Sequence, residues 1–193
     1  MTQHKMIDII RNQLPPYQEA TWDDTEGYTN LKQAAVLLPL AYLQEKLVLI
    51  FTKRTDGLAQ HANQVSFPGG MRESQDLTPI TTALRETSEE IGISEKEIDI
   101  LGMIAPSYSS TGFYVQPVVG FLLDMNGMKI NSTEVRRLFC VPLSWLKRQR
   151  NHYQADYQTS SGDIHRLWFF RKFEGEIIWG LTAQITLDFL QLI

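Results

Sequence analysis

The chain carries one cysteine in 193 residues, Cys140, so an internal disulfide and a cysteine-based zinc site are both excluded. That residue sits in the apolar run Leu138-Phe139-Cys140-Val141, which reads as a buried strand with an inert thiol. Basic residues are in short supply too. Lys and Arg number 18 against 22 Asp and Glu, a net charge of −4, which is not the footprint of a general nucleic-acid binder. An anionic partner would have to be met by local cations and by metal. No apolar run approaches the roughly 20 residues that cross a bilayer, and Met1-Thr2-Gln3-His4-Lys5 lacks the apolar segment of a signal peptide. The expectation is a cytoplasmic protein with neither a membrane nor a nucleic acid as partner. Repeats, low-complexity tracts and linkers are absent, and the length suits one domain over residues 1–193.

What is present is concentrated acid. Arg85-Glu86-Thr87-Ser88-Glu89-Glu90-Ile91-Gly92-Ile93 places three carboxylates at i, i+3 and i+4, on one face of a helix. Like charges so spaced destabilise a bare helix by roughly 0.2–0.5 kcal/mol per pair, and a hard divalent cation would offset that repulsion. The helix has its own signals: Thr78 as N-cap, Pro79 in the first turn, and Gly92 as the stop. Ile80, Ala83, Leu84, Thr87 and Ile91 form the apolar stripe, with the carboxylates on the opposite side. The competing reading is a solvated acidic surface with an Arg85–Glu89 pair. Just upstream, Phe67-Pro68-Gly69-Gly70 lets backbone approach a ligand closely, and a free carbonyl there could complete a metal's oxygen shell.

Together these residues resemble the signature box of the Nudix hydrolases, which cleave a nucleoside diphosphate linked to another moiety. The match runs over residues 70–93, with Arg85-Glu86, Glu89-Glu90 and Gly92-Ile93 intact. It departs in three places: Asp76 stands where Glu is usual, eight residues rather than seven separate it from Arg85, and Thr87 replaces an aliphatic residue. The resemblance implies an α/β fold, the Nudix α/β/α sandwich around a mixed β-sheet. It implies Mg²⁺ or Mn²⁺ held by Gly70, Glu86, Glu89 and Glu90, with Glu86, Glu89 and Arg85 serving catalysis.

The segment before the box is similar to the coenzyme A pyrophosphatase branch. Phe51-Thr52-Lys53-Arg54 matches a Leu-Thr-x-Arg strand end, and His61-Ala62-Asn63-Gln64-Val65-Ser66-Phe67-Pro68-Gly69-Gly70 matches a His-x-Gly-Gln-x-x-Phe-Pro-Gly-Gly approach. Ala59 stands where an arginine is frequent, and Asn63 where glycine is usual. The resemblance implies Lys53, Arg54, His61, Gln64 and Ser66 as substrate-binding residues and coenzyme A or an acyl-CoA as substrate. ADP-ribose or another nucleoside diphosphate derivative is the alternative, and a non-catalytic nucleotide-binding sensor is a third reading. Lys147, Arg148 and Arg150 form a basic cluster that is either a solvated face or a contact for a 3′-phosphate. Trp179 reads as packing rather than as a stacking platform.

Along the chain, Met6 to Leu14 predicts a short helix ended by Pro15-Pro16, and Gln18 to Leu31 a polar loop; residues 1–31 form an extension. Ala34 to Leu38 and Leu47 to Thr52 predict adjacent strands turning at Gln44-Glu45-Lys46. Ile98 to Ile104, Val115 to Leu123 and Glu134 to Phe139 predict further strands, and Ser107 to Gly112 an active-site loop. Leu143 to Leu146 begins a short helix, Leu167 to Phe173 and Glu176 to Trp179 suggest a hairpin about Glu174-Gly175, and Leu181 to Leu192 a closing helix.

Overall fold

The structure is a computed structural model that describes residues 3–15, 21–22, 31–56, 63–109, 111–159 and 162–193. In chain order the elements are α1 (Gln3–Gln13), β1 (Lys32–Leu43), β2 (Lys46–Arg54), β3 (Val65–Ser66), β4 (Gly69–Met71), α2 (Pro79–Ile91), β5 (Ile98–Met103), β6 (Ser107–Tyr108), β7 (Phe113–Leu122), β8 (Val135–Pro142), α3 (Leu143–Leu146), β9 (His152–Gln158), β10 (Ile164–Phe170) and α4 (Gly180–Leu192). Among the described residues no helix is long and apolar enough to cross a membrane.

The main sheet is mixed. Its path runs β3-β2-β1-β7-β5, with β4 on β1, β6 on β7 and β8 on β2. Among the described residues, β1 and β7 are the parallel pair, in the register Val36↔Pro117. β1 and β2 meet through a tight turn in which Gln44 and Glu45 take φ of 47° and 63°, the paired left-handed geometry of a two-residue hairpin.

Alternation along β2 shows how the layers form. Leu49 and Phe51 join the core shared with α1, α3 and α4, while Val48 and Ile50 join the core under α2. Ile7, Ile10, Ala183 and Phe189 cover the first face, and Ala83 and Ile91 the second. The result is the α/β/α sandwich expected from the sequence. Continuing the alternation, Arg54 falls on the α2 face and Lys53 on the other.

Several expectations change. The first helix begins at Gln3 rather than near Met6. Most of the stretch from Gln18 to Leu31 lies outside the described residues, but Trp22 within it is 1% exposed and meets Tyr114 edge-on, so that stretch is not simply a polar loop. Gly69–Met71 is a strand paired with Ala34–Val36 rather than a turn, and Ser107–Tyr108 is a short strand on β7 rather than part of a loop. The turn at Glu174–Gly175 is present, but β10 pairs mainly with β9, which the sequence reading missed. β9 is His-Tyr-Gln-Ala-Asp-Tyr-Gln, largely polar and exposed, so it offers no apolar run to detect. Cys140 is half-buried on β8, and burial pushes its thiol pKa up, with Glu174 adding to the effect.

Candidate active site

α2 forms where the sequence places it. The Thr78 side chain accepts from the Thr81 amide, Thr81 returns a bond to the Thr78 backbone, and Pro79 opens the first turn. Gly92 closes the helix at φ 73°, with its N–H donating to the Ser88 carbonyl. The carbonyls of the last turn are taken up from outside: the Asn131 amide donates to Glu90 O and the Lys129 amide to Ile91 O, both at 2.9 Å. That docking carries Glu134 in beside the acidic helix.

The glycine pair sets the floor of the site. A Cβ at Gly69 would lie 2.4 Å from the Ala35 carbonyl, and one at Gly70 would lie 2.5 Å from the Glu86 carboxyl carbon. Strand β4 therefore runs directly against the Glu86 carboxylate, an approach that only glycine permits.

The three glutamates are not equivalent. The Glu90 side chain is 2% exposed, Glu86 is largely covered, and Glu89 stands out at 54%. Two guanidiniums divide them. Arg85 Nη1 lies 3.0 Å from Glu86 and 3.1 Å from Glu89, its Nη2 donates to Asp76 at 2.9 Å and to the Met71 carbonyl at 2.9 Å, and its Nε donates to Asp76 as well. Arg54 reaches Glu90 at 3.5 Å. Among the described residues, Glu90 Oε2 and Arg54 Nε are buried without a hydrogen-bond partner.

Electrostatics follow this division. Burial is the main influence pushing Glu90 up to about 8; Glu86 and Glu134 add to it, while Arg54 and the Gly69 amide oppose it. Burial also raises Glu86, against the pull of Arg85. At Asp76 burial acts upward too, but hydrogen bonds from Arg85, the Glu73 amide and Thr82 outweigh it and hold the carboxyl below its usual value. Arg85 is held above its usual value, first by its bond to Asp76.

Among the described residues, no three His, Cys, Asp or Glu side chains form a group able to hold a metal ion by themselves. The oxygen-only donors still fit a hard cation: a buried, partnerless carboxylate oxygen on Glu90 lies beside Glu86 at the Gly69–Gly70 backbone. Mg²⁺ takes one or two carboxylates and completes its shell with water and substrate phosphate.

The Nudix domain profile matches residues 31–160. The chain belongs to the Nudix family. Its relatives agree: Nudix hydrolase NudL of Photorhabdus laumondii is 38% identical over 179 residues, 93% of this chain and 91% of the relative. NudL of Yersinia enterocolitica is 40% identical over 156 residues, 81% of this chain and 78% of the relative. Among solved structures, a MutT/nudix family protein from Enterococcus faecalis superposes with a TM-score of 0.53 at 16% identity, covering 97% of this chain and 73% of that one. A C. elegans Ap4A hydrolase binary complex gives 0.50 at 17% identity, covering 57% and 80%. Both likenesses concern the fold alone.

As a Nudix protein, the chain places its substrate candidates unevenly. Arg54 stands at the end of β2 beside Glu90, and its amide donates to the Gln64 carbonyl. Ser66 Oγ pairs with Thr52 Oγ1 at 2.9 Å across β2 and β3. Lys53 points to the opposite face and is tied to Glu176 at 2.8 Å. His61 and Ala59 lie outside the described residues. Asn63 takes φ 60°, so the residue standing in the place of a glycine keeps the left-handed backbone that glycine would supply. Thr87 is buried and donates to the Ala83 carbonyl at 2.6 Å, which lets a hydroxyl sit in an aliphatic position. Lys147 donates to the Ile193 carbonyl, and Trp179 stacks on Phe169 as packing.

Two residues of the site were not singled out as such from the sequence. Asp76 is the buried anchor of Arg85, nine positions away. Glu134 bears electrostatically on both Glu86 and Glu90. Asp76 was visible as the acidic position of the box; Glu134 lies in the Asn131–Val135 segment, which also resembles the coenzyme A branch but gave it no role, and the docking of 129–131 onto α2 is what brings it in.

Proposed function

We propose that this protein hydrolyses the diphosphate of coenzyme A or an acyl-CoA, giving 3′,5′-ADP and 4′-phosphopantetheine, with Mg²⁺ or Mn²⁺. The observation that carries a diphosphate chemistry is the buried Glu90 carboxylate facing Arg54 at 3.5 Å, each with a polar atom lacking a partner among the described residues. Buried polar atoms are costly when left alone, so a site holding two of opposite charge suits a ligand that brings both cation and phosphate. The coenzyme A preference is supported by the similarity of the segment ending in Gly69-Gly70 to that branch.

In this reading Glu86, Glu90 and the Gly70 carbonyl hold the cation, and Glu89 holds it directly or through water. The cation, when bound, neutralises phosphate charge and acidifies water. Arg54 orients the diphosphate by its planar fork of donors. Arg85 fixes Glu86 and Glu89 through the Asp76 anchor and so acts by positioning. Glu89, the most exposed of the three, accepts the proton of the attacking water. Gln64, Ser66, Lys53 and His61 belong to the substrate side, and a cytoplasmic location goes with such a substrate.

Incubation with Mg²⁺ or Mn²⁺ and a panel of CoA, acyl-CoA, dephospho-CoA, ADP-ribose, NADH and dinucleoside polyphosphates tests this. CoA should be cleaved with a kcat/KM at least about tenfold above that of dephospho-CoA. Faster turnover of ADP-ribose than of CoA would move the assignment to ADP-ribose. Tight nucleotide binding without turnover of any compound would make the protein a sensor.

A further inference from the structure

Lys53 faces away from the acidic helix, toward a small ionic group that the diphosphate chemistry does not use. On β2 and β8 it stands directly opposite Arg137. Like charges directly opposite across a sheet repel. One carboxylate holds the two together: Glu176 lies 2.8 Å from Lys53 Nζ and 3.7 Å from Arg137 Nε. The Lys53 and Glu176 side chains are each only 16% exposed, whereas Arg137 opens to solvent at 40%. Arg137 lays its guanidinium 5.3 Å over the Phe139 ring and donates to the Glu174 carbonyl at 3.2 Å. Its Nε is buried and has no hydrogen-bond partner among the described residues.

A second carboxylate, the solvent-exposed Glu174, lies 4.0 Å from Arg137 Nη2, so the group holds two cations and two carboxylates, with one buried donor making no hydrogen bond among the described residues. The adjoining backbone adds positive character. Thr182, in the first turn of α4, bonds to the Val65 carbonyl, and Val65 is the β3 partner of Lys53. The N-cap of α4, Trp179, supplies no side-chain cap, so the positive end of a 13-residue helix is left beside Lys53 without an acidic partner of its own. Glu176 itself follows the tight turn at Glu174–Gly175, where both residues have positive φ, and its backbone pairs with Phe173 in an isolated bridge.

We propose that Lys53 and Arg137 form a binding subsite for a phosphate monoester on the nucleotide half of the substrate, and that Glu176 is an internal carboxylate which that phosphate displaces. The proposal rests on the reading of the substrate as a nucleotide that carries a phosphate monoester in addition to its diphosphate. Once Glu176 swings out, a phosphate dianion can face both cations, and the planar guanidinium, whose Nε makes no hydrogen bond to Glu176, can grip it by two parallel bonds. Glu176 then sets specificity: it blocks the cations to substrates that have no group to put there.

Titration calorimetry with 3′,5′-ADP and 5′-AMP, which differ by one phosphate monoester, tests the subsite without relying on turnover. The wild-type protein should bind 3′,5′-ADP at least about tenfold tighter than 5′-AMP. Glu176→Gln should tighten 3′,5′-ADP by about three- to tenfold and leave 5′-AMP unchanged. Arg137→Met, which keeps an apolar stem over Phe139, should bring 3′,5′-ADP down to the level of 5′-AMP. Melting gives a second reading. Glu176→Gln leaves two facing cations with only the exposed Glu174 as counter-charge among the described residues and should lower Tm, with 3′,5′-ADP but not 5′-AMP restoring it. A Glu176→Gln protein that binds both nucleotides as the wild type does, or that binds 3′,5′-ADP more weakly, overturns the proposal. So does an Arg137→Met protein with undiminished 3′,5′-ADP affinity. If ADP-ribose, which carries no phosphate monoester, proves the better substrate while these binding differences hold, the coenzyme A assignment falls, the subsite is overturned as a substrate contact, and Lys53 and Arg137 stand only as a site for other phosphomonoester nucleotides. If coenzyme A is cleaved and the differences are absent, the subsite falls alone.

Discussion

Arg85 and Arg54 both bring a guanidinium to the acidic end of α2, but they are used differently. Arg85 spends its donors on Asp76, Glu86, Glu89 and the Met71 carbonyl, and its main anchor, Asp76, is buried. Arg54 reaches Glu90 at the limit of a hydrogen bond, and each leaves a buried polar atom unpartnered among the described residues. The first arrangement is complete and ties the box loop to the helix. The second is incomplete in a place where incompleteness costs free energy. On the proposed function, the first arm stabilises the fold and positions its neighbours, and the second is the one that a ligand would complete. Stability and activity should separate along the same line.

The largest separation is expected at Glu90. Glu90→Gln keeps the shape but removes the charge, and kcat should fall by about a thousandfold, or about 4 kcal/mol of barrier. Tm should stay level or rise, because a desolvated carboxyl has been replaced by a neutral amide. Near-normal turnover in this variant would take Glu90 out of the site, and a fall in Tm of several degrees would place it with the stabilising arm.

Arg85 should behave in the reverse order. Arg85→Ala leaves Asp76 buried without its partner, and unfolding should become easier by about 3 kcal/mol, a drop of roughly 6–12 °C in a protein of this size. Urea denaturation reads this directly. A variant that loses activity but keeps its midpoint would make Arg85 a ligand-facing residue like Arg54.

Gly70 sits between the two arms and sharpens the contrast. Gly70→Ala places a Cβ 2.5 Å from the Glu86 carboxyl carbon. The side chain can swing aside, so the cost in stability should stay near about 1 kcal/mol, while kcat falls about tenfold as Glu86 leaves the strand. Unchanged kcat would mean that the contact of Glu86 with β4 has no part in the reaction.

How much of this was legible in the sequence follows from how local each signal is. α2 could be read almost residue by residue, because Thr78, Pro79, the apolar stripe and Gly92 are all carried within the helix and its caps. Arg54 was picked out by the resemblance of its strand end, but its arrival on the α2 face needed the structure, because β2 is apolar on both faces. The unequal burial of the three glutamates did not follow, since helical spacing groups Glu86, Glu89 and Glu90 on one face and cannot show which of them β4 covers. Glu134 and Glu176 each reach their partners through a turn set by distant docking, so nothing near them in the chain announces a role. Lys53 read as a companion of Arg54, but adjacent positions on a strand face opposite ways.

The smallest expected effect concerns acid. Asp76 has a folded-state pKa below its usual value, because the bonds from Arg85, the Glu73 amide and Thr82 outweigh its burial. As pH falls, the unfolded chain takes up the proton first, near the ordinary aspartate value of about 3.9. The unfolded state then binds more protons than the native state, and stability declines from there until the folded carboxyl is itself protonated. Above about pH 5 the contribution is fully present and should not vary. Asp76→Asn removes this titration. Its unfolding free energy should be lower than that of the wild type at pH 7, and the gap should narrow as both are taken from pH 5 toward pH 2.5. A gap that stays constant over that range would show that the Arg85 arm owes little to the charge of Asp76 and would blur the division between the two guanidiniums.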